Sequence, residues 1–215
     1  MSNDISIRVN NATNDRNLYI VMFQKPTHAN PDIIYTSLFP VAWQVLPLGP
    51  QQSCDPVIYP VQLQLSVTES EKFYNSVDRK TIQNVNFGEV WDFNLNGEFS
   101  EINQDAGETA VDGVVVMRNN SVEHVDAGLA RNGSLVATQK RVAQGEQADF
   151  QLTPSLYMMA ASNLQKGDII RSYQITQNVH EIDLTNLKSV DVTVSTADPN
   201  SGLLKWTDSN KQAAS

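Results

Sequence analysis

The chain has 215 residues, a net charge of −9 and a pI near 4.7. With 40% apolar and 18% charged residues, it is too apolar to remain an unfolded chain. Adjacent basic pairs such as Lys140-Arg141 fall short of the clustered cations that phosphate neutralisation needs, so nucleic acid is not an expected partner. No run approaches the roughly 20 apolar residues of a spanning helix, so no membrane span is expected. Asp4 and Arg8 interrupt the stretch where a secretory signal would be continuously apolar. A single cysteine, Cys54, cannot form an intrachain disulfide, which suits a reducing compartment. The expected location is the cytoplasm, with export lacking a peptide signal as the alternative.

Period-two patterning dominates the chain and predicts strands. Ile5 to Asn10 alternates, and Leu18 to Gln24 reads as a buried strand. Thr27 to Phe39, with prolines at or near its ends, reads as loop. Val41 to Leu46 is expected as a strand between Pro40 and Pro47, and Leu48 to Pro60 as proline-broken loop. Val61 to Val67 places Val61, Leu63, Leu65 and Val67 on one face. Glu69 to Asn84 is polar and has room for one short helix. Val90 to Leu95 is the next strand, and Asn96-Gly97 suits a type I′ hairpin.

Gln104 to Gly113 reads as an acidic loop. Val114 to Met117 is a buried strand. Asn132-Gly133 between Val122–Ala130 and Leu135–Gln139 is the strongest hairpin signal. Gln147–Leu152, Leu156–Ala161, Asp168–Thr176, Val179–Leu184 and Val190–Ser195 follow as strands, and Leu203–Thr207 as a last short one. About a dozen short strands predict an all-β fold. The expected form is an antiparallel two-sheet β-sandwich of jelly-roll type, one domain over 1–207 with a flexible tail over 208–215. The alternative is two tandem smaller β units meeting near residues 104–112.

One internal echo stands out. Ile5-Ser-Ile-Arg-Val-Asn-Asn11 resembles Val114-Val-Val-Met-Arg-Asn-Asn120. A duplication leaves such an echo, but two Asn-Asn turns after two strands are the simpler explanation.

Candidate sites are sparse. Asp92-Phe-Asn94-Leu-Asn96-Gly97 matches the first half of a calcium loop, so Asp92, Asn94 and Asn96 are the candidate metal ligands. Asn103 stands where the bidentate carboxylate belongs, and the alternating flanks already explain these residues as the outer face of a strand. His28, His124 and His180 show no paired metal spacing, so a zinc or iron site would need convergence from distant strands. There is no Gly-x-Ser-x-Gly elbow and no phosphate-binding glycine loop. Hence no catalytic residue and no cofactor are expected. Trp43 and Trp91 sit in apolar patterns and are read as core. Trp206, with Asp208 beside it, is the candidate exposed platform for a ligand, in the manner of a sugar-binding indole.

Val21-Met-Phe-Gln24, Ala42-Trp43-Gln44-Val45, Tyr59-Pro60 and the stretch from Gly145 through Phe150 and Pro154 to Val194 give the chain a resemblance to a group of uncharacterised bacterial β-rich proteins. The resemblance spans most of the chain. It implies a bacterial, non-secreted protein and no activity, cofactor or catalytic residue.

The expected function is a non-catalytic binding or self-assembling β-sandwich, with a glycan or protein partner or a homo-oligomer as its context. The alternative is a metal-dependent enzyme of β-sandwich or cupin type.

Overall fold

Alternating and β-branched segments form strands throughout the computed structural model, which describes residues 4–14, 16–69, 80–96, 99–175, 178–197 and 203–214. In chain order they are β1 (Ile5–Asn11), β2 (Leu18–Phe23), β3 (Pro26–Thr27), β4 (Leu38–Pro40), β5 (Gln44–Leu48), β6 (Gln52–Ser53), β7 (Val57–Tyr59), β8 (Leu63–Glu69), β9 (Lys80–Val85), β10 (Glu89–Asn96) and β11 (Phe99–Thr109). Then come β12 (Val114–Asn119), β13 (Val125–Arg131), β14 (Ser134–Val142), β15 (Gln147–Leu152), β16 (Ser155–Ala160), β17 (His180–Asp183), β18 (Leu187–Thr196) and β19 (Leu204–Ala213). The fold is all-β, as the periodicity predicts.

The chain forms two compact units. Unit 1 comprises Met1–Phe23, Ala42–Val61 and Pro154–Ser215; unit 2 comprises Gln24–Val41 and Gln62–Thr153. Each has two sheets. In unit 1 these run β19-β18-β1, with β6 and β7 beside β1, and β17-β16-β2-β5. In unit 2 they run β11-β10-β12-β15-β3 and β9-β8-β13-β14-β4. Ile7, Val9, Val190, Val192 and Val194 are buried from the first sheet of unit 1, and Val115, Met117, Phe93 and Phe150 from the matching sheet of unit 2. One face of each strand is apolar, so pairing and burial select the same register.

The two units share one plan. β12-β13-β14-β15 occupy in unit 2 the places of β1-β2-β5-β6/β7 in unit 1, and β8-β9-β10-β11 those of β16-β17-β18-β19. In each unit one parallel pair stands among antiparallel neighbours: β1 with β18, and β12 with β10. Asn11 sits opposite Val194 and Asn119 opposite Phe93. The next residue in each case, Ala12 or Asn120, donates its backbone N–H to that partner's carbonyl, at 2.7 and 2.9 Å.

Asn11 and Asn119 are themselves buried and play one role. The Asn11 Oδ1 accepts from the Thr13 backbone N–H and hydroxyl, while its amide donates to the Arg16, Leu48 and Gly49 carbonyls. The Asn119 Oδ1 accepts from the Ser121 backbone N–H and hydroxyl, while its amide donates to the Glu123 and Val142 carbonyls. The echo in the sequence is therefore a structural repeat, with its register moved by one. Asn119, not the exposed Asn120, is the counterpart of Asn11, because it is the inward-facing residue.

In chain order, β1–β11 form one repeat and β12–β19 a second. Each unit joins the first strands of one repeat to the last strands of the other. β1 and β2 pair with β18 and β16 of the second repeat, and β12 and β13 with β10 and β8 of the first. The repeats exchange halves.

Several expectations change. The two compact units are interleaved along the sequence, because the repeats exchange halves. Residues 208–213 are no tail: they continue β19, paired with β18 as far as Leu187 and Ala213. The acidic loop is largely strand, since β11 runs to Thr109 and its carboxylates project from an edge. Of the expected strand Asp168–Thr176, residues 168–175 form none, with a short 3-10 turn over Ser172–Gln174, and Thr176 lies outside the described residues. Within Glu69–Asn84, Lys80 onward is β9, and residues 70–79 lie outside the described residues. The Asn132-Gly133 hairpin forms as expected, both residues with positive φ (47° and 74°). At the other hairpin Asn96 pairs with Phe99, and Gly97 lies outside the described residues.

Candidate functional site

The outer face of the unit 2 sheet is built by register. Val90 pairs with Val116, which pairs with Asp149; Asp92 pairs with Arg118, which pairs with Gln147; Val114 pairs with Gln151. Alternation places all of these opposite the buried Val115 and Met117. The segment Thr27–Ala29 and the end of β11 flank this face and leave a groove of about 530 Å³. Val90, Val114 and Val116 line it with methyl groups, while Arg118, Gln147, Asp149, Gln151 and His28 bring polar atoms to it. Volume and mixed lining are those of a small-molecule site.

Arg118 organises the polar side. Its Nε and Nη2 donate to the two oxygens of Asp92 at 2.7 and 3.0 Å, Nη2 also donates to Asp105, and Nη1 donates to Glu108 at 3.1 Å. The fork geometry of the guanidinium satisfies three carboxylates at once. The hydrogen bond from Arg118 and the Gly107 backbone N–H hold the Asp105 carboxyl below its usual pKa, and the Asp92 and Asp105 carboxylates push the Arg118 guanidinium up. The Asp149 oxygens accept from the Gln147 amide at 3.0 and 3.2 Å. The His28 Nδ1 accepts from the Asn30 backbone N–H, which leaves Nε2 facing Asp149 at 3.8 Å. Three carboxylates around one guanidinium, with a fourth, Asp149, facing His28, make the surroundings of the groove net acidic.

Unit 1 carries a different cluster. Trp206 on β19 lies half-buried against His180 on β17, with ring centroids 5.5 Å apart and planes within 2°. The Asp208 Oδ1 is 2.6 Å from the His180 Nε2, and its other oxygen is 2.9 Å from the Lys211 Nζ. The two residues singled out as a ligand platform are thus brought together around a histidine. One indole face is covered by the imidazole, and the carboxylate is already paired.

Of the metal candidates, Asp92 gives both oxygens to Arg118, Asn94 is half-buried on the same strand, and the Asn96 side chain lies outside the described residues. His124 is exposed, whereas His28 and His180 each face a carboxylate in different units. Among the described residues no three His, Cys, Asp or Glu side chains are grouped to hold a metal. Also among them, no helix is long and apolar enough to cross a membrane. Trp43 and Trp91 are buried, as their apolar surroundings predict.

The groove residues were missed in the sequence. They come from four separated segments, and the one signal was Arg118 inside the repeated motif, where Asn10 stands in the first copy.

Fold and groove together define an all-β protein of two like-built units, one of which bears a ligand-sized site. The model of the RhiA family, a domain of unknown role, matches residues 3–202, and the chain belongs to that family. No curated protein and no solved structure matches it.

Proposed function

We propose that the protein is a non-catalytic binding protein whose unit 2 groove takes a small neutral or cationic molecule with an apolar face and hydroxyl or amine groups. The observation that supports this is the groove itself: a valine floor beside Arg118, Gln147, Asp149 and Gln151 within about 530 Å³. The acidic balance of its rim disfavours anions. A sugar or amino sugar matches the demand for planar amide and carboxylate partners. The groove lining lacks the stacked aromatic that often accompanies sugar binding, and the half-buried Trp206 of unit 1 is the alternative place for one.

A glycan and amine panel titrated against the full chain by calorimetry tests the reading. Binding that Val116→Trp abolishes and Trp206→Ala preserves locates the ligand in the groove. The opposite pattern transfers it to Trp206. A blank panel with both sugars and amines counts against the proposal. The metal-dependent enzyme remains the rival reading, and a stoichiometric transition metal in the purified protein would favour it.

Self-association has an observation of its own. Among the described residues, β11 and β19 end their sheets as edge strands of 11 and 10 residues, each with one side unpaired in the sheet order. Long edges of this kind pair with other chains unless charge or twist prevents it. A native mass that rises with concentration would support that reading, and a constant monomer mass would remove it.

A further inference from the structure

The register equivalence of the units gives Arg118 a second meaning. Its counterpart in unit 1 is Asn10, and those of Asp92 and Asp105 are Thr193 and Ser209. The Asn10 amide reaches the Thr193 hydroxyl at 3.5 Å, a weak neutral contact in the place of a forked ion pair.

Both pairs join opposite repeats. Arg118 belongs to the second repeat, and Asp92, Asp105 and Glu108 belong to the first. The shared plan raises another arrangement, in which each repeat would close on itself: β1 would lie beside β10, and β12 beside β18. There Arg118 would face Thr193 and Ser209. Asp92 and Asp105 would face Asn10, two adjacent carboxylates with no cation between them. Backbone pairing and apolar alternation are the same in both arrangements, so they discriminate weakly. Charge discriminates strongly, since it rewards one pairing and penalises the other.

We propose that the Arg118–Asp92–Asp105–Glu108 cluster is the recognition element between the repeats, selecting the exchanged pairing over the self-closed one. The surface it marks on the first repeat fits one partner, the β12 edge of a second repeat bearing Arg118. The Asn11 and Asn119 motifs occur in each repeat and serve either arrangement equally; among the described residues the charge cluster occurs once. A forked, charge-assisted pair lost on one side biases the choice by about tenfold or more.

The test places a disulfide reporter in unit 1, away from the cluster. In the full chain with Cys54→Ser, Asn10→Cys and Thr193→Cys are partners only when the repeats exchange, because self-closure puts them in different units. The protein is unfolded, refolded under oxidising conditions, and the remaining free thiols are counted. With Arg118 intact, nearly every folded chain should close the disulfide. Arg118→Glu should lower the ratio of closed to open folded chains at least about tenfold, and Arg118→Glu with Asp92→Arg should restore it. Arg118→Met, which keeps an apolar stem, should fall between. Closure unaffected by Arg118→Glu would overturn the proposal. So would failure of both Arg118→Glu and Arg118→Met to fold, which would show the cluster holding unit 2 together rather than selecting its partner.

Discussion

Unit 1 and unit 2 are built on the same eight-strand plan and carry different chemistry. In both, a buried asparagine at the end of a parallel-paired strand ties a turn and a neighbouring strand to the sheet. Beyond that, unit 1 has Asn10 with Thr193 where unit 2 has Arg118 with Asp92. Unit 2 has Gln83 and Ile102 at the places of His180 and Trp206. What both units keep is what the fold requires. What only one has is free to serve binding or pairing.

The largest loss of stability is expected at the two asparagines. Asn11→Ala and Asn119→Ala should each cost about 3 kcal/mol, since each strands at least two buried backbone groups. Urea unfolding should show losses of similar size; a large loss for one alone would mean that the motifs are not equivalent. A smaller effect should follow from Gly128→Ala. A Cβ there would lie 2.7 Å from the Ala137 carbonyl oxygen, whereas unit 1 holds Val21 at that place. The expected loss is about 1–3 kcal/mol, and a neutral result would mean that β13 shifts freely.

His180→Phe keeps a ring against Trp206 and removes the bond to Asp208, a partly exposed pair, so it should cost less than about 1 kcal/mol. A larger loss in the melting temperature would give that cluster a structural role. The smallest effect is a pH dependence. The folded Asp105 carboxyl titrates below its usual value of about 3.9, so its contact with Arg118 stabilises the protein above that value and is lost as pH falls through the lowered one. The stability difference between wild type and Asp105→Asn should be full at pH 7 and shrink below about pH 4.

Strand positions were legible because burial on one face imposes period two. Gln147–Leu152 and the Asn132-Gly133 hairpin came through with little change. Charge misled at Gln104–Gly113: on an edge strand carboxylates project into water as easily as from a loop, so composition cannot separate the two. The exchange was illegible for a different reason. Each repeat carries the same pattern, and pattern alone fits a partner in the same repeat as well as one in the other. The groove shares that origin, because its valines and its polar rim meet only through pairing between β10, β12 and β15. The Trp206–Asp208 pair was visible as adjacent alternating residues, but its occupation by His180 required β17 to fall beside it.

The most direct test of the exchanged architecture is the native mass of the full chain after cleavage at a protease site placed in the exposed connector between β11 and β12, where Val111 is 76% exposed. If the repeats exchange halves, the cut protein stays one particle of 23.8 kDa, because each unit still contains strands from both fragments. Two separate folded particles of about half that mass, the size of one self-contained repeat domain, would contradict it.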